Sequence, residues 1–330
     1  MATYANKELS ITLTARGLLI LACTFSSTNA NASDVSSLDA TDNVINERMV
    51  WDGNKNLDNK NWLMRWGLYA WDEDFNMLTK GFWGYDAVDI VPDPYDPEHN
   101  VIRVKYLKDR VTTQSGAGML FQPNIENLIS DKKACLSYNM LFDSDFEFGT
   151  VGGKIPGLFG FNKDSGATLN AKTCAGPYEY DSSVCFSARL GYRNLRARGY
   201  PRTDMFYEVI PWMYEGECRD HWICNLSYGK GMVIKAEQPE LTKAKLGKWT
   251  NVKQEIKVND KDDRNGYIRI WYDNNMIYNE ENITIAKGDD VAIVGILFHA
   301  LFGQGFDLSQ GSPTTQYSYF SDFSISDSCD

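Results

Sequence analysis

Gly266-Tyr267-Ile268-Arg269-Ile270-Trp271-Tyr272, followed by Asp273-Asn274-Asn275 and then Met276-Ile277-Tyr278, is the stretch that sets the fold class. Its apolar residues recur every second position, the period of a strand with one face buried. Asp and Asn tolerate the left-handed backbone that a tight hairpin needs, so the segment reads as two antiparallel strands joined by a turn. The same alternation continues outward. Trp249–Val258 precedes the hairpin, Val101–Tyr106 and Ala134–Phe142 lie far upstream, and Tyr317–Ile325 closes the chain. Long helical periodicity is scarce, and only Pro123–Lys132 suggests a short helix, with proline tolerated in its first turn. Many short strands without alternating helices predict an all-β, antiparallel two-sheet sandwich. No Gly/Ser or Pro linker and no internal repeat interrupts residues 48–330, which read as a single domain.

A chain of 330 residues suffices for such a sandwich. Aromatic residues make up 13%, including 9 Trp and 18 Tyr, and these suit both sheet cores and sugar-binding clefts. The formal net charge of −11 argues against a nucleic-acid or anionic-membrane partner. A polyanion could bind only through a local basic patch.

The N-terminus reads as an export signal. Lys7 and Arg16 precede the apolar run Leu18–Cys23, and Ala30-Asn31-Ala32 supplies a small-residue cleavage site. Residues 1–32 are therefore expected to be a signal peptide and 33–47 a disordered lead-in to a secreted protein. Ile20-Leu21-Ala22-Cys23 also resembles a lipobox, which would leave Cys23 lipidated. The run is too short to span a bilayer, so no transmembrane segment is expected. Cys135, Cys174, Cys185, Cys218, Cys224 and Cys329 remain, an even number that fits an oxidising compartment. Short loops suggest Cys174–Cys185 and Cys218–Cys224, leaving Cys135 with Cys329. Their spacing forms no paired zinc knuckle, and with only His99, His221 and His299 present no metal or other cofactor is expected. Asn225 and Asn282 open glycosylation sequons that matter only in a eukaryotic source.

Two segments carry chemistry. In Gly152-Gly153-Lys154-Ile155-Pro156-Gly157-Leu158-Phe159-Gly160, glycines on both sides of one lysine permit close backbone approach, and no Gly-Lys-Ser/Thr ending makes it a P-loop. A glycine-rich bulge with a solvated lysine is the plainer reading. In Cys185–Arg193, a strand puts Phe186, Ala188, Leu190 and Tyr192 on one face and Ser187, Arg189, Gly191 and Arg193 on the other. The first face is core. The second, followed by Arg196, Arg198 and Arg202, is a cationic stripe and the local basic patch that a polyanion requires, although such stripes are commonly solvated.

Together with Phe206-Tyr207-Glu208-Val209-Ile210-Pro211, Trp249, Gly266–Asp273, Phe298–Gly303 and Tyr319–Phe323, these segments resemble the family 14 polysaccharide lyases, and more distantly the glucuronan lyases. The resemblance spans most of residues 51–326. It implies a β-jelly roll with a concave cleft that cuts a polyuronate, such as mannuronate-rich alginate, by β-elimination without a metal. It further implies that Lys154 and Arg189 meet the uronate carboxylate, Ser187 orients it, and Tyr207 transfers the proton, with Gly153, Tyr192 and Arg193 as substrate-binding positions. Val209 stands where such proteins often carry a second tyrosine, which leaves open a partner for Tyr207 or a loss of activity. A monomer acting on an acidic polysaccharide is expected.

These residue types suit the reaction. Elimination removes a weakly acidic proton beside a carboxylate, and cations that neutralise the carboxylate stabilise the charge that develops. Arginine grips it with two donors, and lysine adds a point charge. Two alternatives remain. Asp143, Asp145 and Glu147 would share one strand face in a jelly-roll glycoside hydrolase. A non-catalytic module would bind the polymer uncut. His221 reads as a loop residue, and His299, in an apolar run, as a packed core histidine.

Overall fold

The hairpin forms on the expected residues, with Gly266–Tyr272 and Asn275–Ile283 as its strands. Asp273 and Asn274 at its tip have φ of 49° and 63°, the paired left-handed geometry of a two-residue hairpin turn. The Asp273 carboxylate then accepts from the Asn251 backbone N–H at 2.9 Å, tying the turn to the neighbouring strand.

The computed structural model describes residues 49–50, 84, 87–112, 118–121, 132–167, 182–194, 205–212, 222–226, 229–232, 239–303 and 307–329. Two sheets contain its strands. In order across the first are β13 (Asn275–Ile283), β12 (Gly266–Tyr272), β11 (Thr250–Lys257), β5 (Lys133–Phe142), β15 (Gln316–Ser326), β3 (Asn100–Tyr106) and β2 (Val88–Pro92), and β1 (Met49–Val50) also pairs with β15. Across the second are β4 (Gly118–Phe121), β14 (Ala292–Phe302), β6 (Gly153–Phe161), β7 (Cys185–Asn194), β8 (Met205–Trp212), β10 (Gly229–Met232) and β9 (Trp222–Leu226). Every ladder between these strands is antiparallel, so the all-β two-sheet jelly-roll class read from the sequence is what forms. All of them lie in one unit, Val44–Asp330.

Alternation sorts the side chains. Leu136, Tyr138 and Met140 of β5, Val252 and Ile256 of β11, and Ile268 and Ile270 of β12 face the interior, fully buried. Phe186, Ala188, Leu190 and Tyr192 of β7 meet them from the second sheet. Burying one such large apolar side chain stabilises the fold by about 1.5–3 kcal/mol, which fixes the register because a one-residue slip would expose the set. Cys135 and Cys329 are disulfide-bonded, closing a loop across 194 positions of sequence and contributing about 5 kcal/mol in the chain-entropy account. Cys185 is also disulfide-bonded.

Several expectations fall on other ground. The signal peptide, the lead-in, Cys23, residues 123–131 of the short helix, Cys174, Arg196, Arg198, Arg202, Cys218 and His221 lie outside the described residues. Among the described residues no helix is long and apolar enough to cross a membrane. The acidic run is a correction: β5 ends at Phe142, and Asp143, Asp145 and Glu147 sit in the loop beyond it rather than on a strand face. Phe146 drops into the core between them and meets Tyr106 edge-on, and Phe148 packs beside it on Phe142, so aromatic anchors shape the loop. Asp143 lies beside Tyr319 on the outer side of the first sheet, where burial raises its pKa above the ordinary carboxylate range.

Candidate active site

The cationic side chains come together on the outer face of the second sheet because three adjacent strands present them there. On β7, Ser187, Arg189 and Arg193 alternate with the core residues. On β6, Lys154 pairs in register with Gly191 of β7 and with Leu301 of β14. On β14, Ile296, Phe298, Ala300 and Phe302 face the core, so His299 belongs to the opposite face. The Nδ1 of His299 lies 3.5 Å from Nη1 of Arg189.

The stripe is not solvated, contrary to the plainer reading of an arginine-bearing strand. Ser187 is fully buried, Arg189 is 2% exposed and Arg193 9% exposed. Lys154 is half-buried. An arginine so enclosed strengthens any charge interaction it makes, because the surrounding dielectric is low. His299 is 6% exposed, and burial together with Arg189 and Lys154 holds its ring well below the usual histidine range, hence neutral at pH 7.

Glycine permits this crowding. Gly152 adopts φ of +80°, and a Cβ at Gly153 would overlap both the Leu301 carbonyl and the Tyr192 hydroxyl. The space that Gly153 leaves is therefore filled by protein, which corrects its reading as a substrate-binding position. Between Ile155 and Leu158 the β6–β7 register shifts, leaving Pro156-Gly157 as a bulge. Two residues of the opposite sheet satisfy the backbone groups around it. Tyr138 donates its hydroxyl to the Pro156 carbonyl at 2.9 Å. The Gln254 side chain accepts from Leu158 N–H at 2.8 Å and donates to the Ala188 carbonyl at 2.6 Å. Lys154 precedes this bulge and Arg189 follows Ala188, so the core amide braces both cations. The signal for Gln254 was present in the sequence: it is the polar member of the inward set Val252, Gln254, Ile256.

Tyr207 requires the main correction. Its register partner is Tyr192, on the core face. It is 2% exposed, packs on Tyr272 with ring centroids 4.5 Å apart, and burial raises its phenol well above the usual range. The structure thus separates it from Lys154 and Arg189 by the thickness of the sheet. Tyr192 is likewise core: fully buried, it donates to the Leu301 carbonyl at 3.3 Å and meets Phe142 at 5.0 Å. The positions of β8 opposite Arg189, Gly191 and Arg193 are Ile210, Glu208 and Phe206, and Val209 stands opposite Leu190. Of the expected set, then, Lys154, Ser187, Arg189 and Arg193 share a face, while Tyr207 and Tyr192 do not. His299, set aside in the sequence as a core residue, joins them. Among the described residues no group of three His, Cys, Asp or Glu side chains is placed to hold a metal.

The family model described as polysaccharide lyase 14 matches residues 94–323. Among solved structures, the PL-14 alginate lyase of Aplysia kurodai is 23% identical, with a TM-score of 0.61 over 75% of this chain and 89% of its own. The alginate lyase Aly36B is 17% identical, with a TM-score of 0.60 over 84% and 96%. The alginate lyase vAL-1 from a Chlorella virus is 17% identical, with a TM-score of 0.52 over 77% and 98%. No curated protein matches the sequence.

Proposed function

Because the chain belongs to the polysaccharide lyase 14 family, we propose that the outer face of its second sheet receives the carboxylate of a polyuronate and cleaves the polymer by β-elimination. The observation that carries this reading is the placement of Lys154 and Arg189 on neighbouring strands of one face, around a neutral imidazole. Arg189 offers the planar fork that fits a carboxylate, and Lys154 supplies a second positive charge. Neutralising the carboxylate makes the adjacent C5 proton more acidic and stabilises the enolate-like dianion as the bond to the 4-oxygen breaks. Ser187, two positions before Arg189 on the same face, orients the carboxylate, and Arg193 meets a neighbouring sugar unit. The products are a new reducing end and a 4,5-unsaturated uronate.

Alginate rich in mannuronate is the proposed substrate; the alginate lyases that share the fold support alginate as the polymer. Glucuronan presents the same carboxylate and C5 proton and is the next polymer to test. The protein acts outside the cell, a reading supported by the apolar run before Ala32 and by the Cys135–Cys329 disulfide.

The test incubates the purified protein with polymannuronate, polyguluronate, glucuronan and neutral β-glucan, following ultraviolet absorbance of the unsaturated product and reducing ends together. A joint rise on a polyuronate is expected, and the fastest polymer names the specificity. Reducing ends without absorbance would replace elimination by hydrolysis. Binding with neither signal would reduce the protein to a polymer-binding module.

A further inference from the structure

The lyase reading leaves one role unfilled once Tyr207 lies in the core: the group that takes the proton from the carbon beside the carboxylate. We propose that His299 is that group, an inference that rests on the polyuronate lyase reading and adds a catalytic residue to it.

Three observations converge on this ring. From β14 its Nδ1 lies 3.5 Å from Arg189, the guanidinium assigned to the substrate carboxylate. Arginine has donors only, so the nitrogen turned toward it carries a lone pair and the ring proton resides on Nε2. A carboxylate seated on the same guanidinium brings its α-carbon, one bond away, against that lone pair. Among the described residues the phenols of β7 and β8 are poor competitors, because Tyr207 and Tyr192 are core residues whose burial pushes their pKa values up. Among the described residues the charged groups facing His299 are Arg189 of β7 and Lys154 of β6. From the other flank, β4 sets Leu120 opposite it in register, with the uncharged Met119 and Phe121 on either side.

The two cations have a double effect. In the empty site they keep the ring unprotonated, so the lone pair is available without a prior loss of a proton. When the substrate carboxylate arrives, its one negative charge offsets part of the two positive ones, and the basicity of the imidazole rises as the C5 proton comes within reach. The carboxylate draws the Arg189 donors to itself, and the Nδ1 lone pair so released takes that proton. The C5–H electron pair becomes the C4–C5 double bond, and the C4–O bond breaks with its electrons on oxygen. The imidazolium then returns the proton to that oxygen, so no other reactant is consumed. One group can serve both ends only where the C5 hydrogen and the C4 oxygen lie on the same side of the ring, as in mannuronate and glucuronate but not guluronate.

The decisive variant is His299→Asn, whose amide oxygen occupies the place of Nδ1 and still accepts from Arg189 but cannot carry a proton. On polymannuronate the expected loss in kcat is roughly 10²–10⁴-fold, the usual contribution of a positioned acid–base group. KM should stay within about threefold, and the acidic limb of the kcat–pH profile should disappear. Calorimetric binding of intact polymannuronate to the same variant confirms that it is folded, and His299→Gln provides a second non-titrating replacement. If His299→Asn keeps kcat within about tenfold of the unaltered protein, with the acidic limb in place, the ring only positions Arg189 and the proposal falls while the lyase reading stands. If the unaltered protein yields no unsaturated product from any polyuronate, both fall together.

Discussion

The two sheets present arginines on their outer faces in opposite ways. On the first sheet, Arg269 is about one-third exposed and lies between Glu281 at 2.8 Å and Glu255 at 3.5 Å. Arg103 of the same sheet meets Asp89 at 2.8 Å and covers the ring of Tyr317 at 4.7 Å. On the second sheet, Arg189 is 2% exposed and faces a neutral histidine with a lysine close by. Half-exposed pairs of the first kind contribute little, typically below about 1 kcal/mol, because water screens them. A buried guanidinium beside a second cation interacts far more strongly with an arriving anion, since little water lies between them. The same residue type thus decorates one face and equips the other, and burial rather than identity makes the difference.

The sharpest way to break this comparison is to remove one cation from each face. Arg189→Ala and Lys154→Ala should each lower the rate of unsaturated-product formation by about 10²–10³-fold or more, the scale for deleting one preorganised electrostatic group. Arg269→Ala should leave that rate unchanged. Comparable losses on both faces would erase the distinction.

A second contrast concerns carboxylates. Glu255 on the first sheet is 2% exposed and accepts from Tyr267 at 2.7 Å, Ser328 at 3.1 Å and the Cys329 backbone N–H at 2.7 Å. It fastens the C-terminal segment beside the disulfide. Glu255→Ala should therefore destabilise the fold by about 3 kcal/mol in urea titrations while kcat holds, since several donors lose a charged acceptor. A loss of activity without a loss of stability would contradict its structural role.

Acidification should separate the faces more gently. His299 has a pKa below its unfolded value, so below about pH 6.5 the unfolded chain takes up a proton that the folded one refuses. This contribution to stability is present above the unfolded pKa and declines as pH falls, by at most about 1.4 kcal/mol per pH unit. Urea titrations between pH 7 and pH 5 should show a shallower decline in His299→Asn than in the unaltered protein. An equal slope would place the ring in water.

The smallest effect is expected at Tyr207. As a core phenol it should tolerate Tyr207→Phe with kcat within about threefold and a stability change near 1 kcal/mol, the scale of one ordinary hydrogen bond. Complete loss of elimination with binding intact would return the proton-transfer role to Tyr207 and move β8 relative to β7.

Much of this molecule was legible before folding because it depends on local periodicity. The hairpin at Asp273-Asn274, the strand Cys185–Asn194, and its division into a core face and a cationic face follow from alternation and turn chemistry within a few residues. Lys154 and Arg189 were recognisable from their motifs. The pairing of Cys135 with Cys329, expected by elimination, is the one that forms. Those features need no knowledge of which strand lies beside which.

The rest depended on relations that sequence does not encode locally. Tyr207 carries a suitable side chain, but the register of β8 against β7 sets it opposite Tyr192 and thereby turns it inward. His299 sits among apolar residues along the chain, yet strand alternation and the pairing of β14 with β6 bring it to Arg189, 110 positions away. Gln254 reaches across the sandwich to a bulge about a hundred positions upstream. Sequence by itself determined the strand pattern and its buried faces, because periodic burial is a property of neighbours in the chain, and the family resemblance pointed to the cations. Only tertiary structure decided which titratable groups share their face, because one residue of register decides whether a side chain meets the substrate or the core.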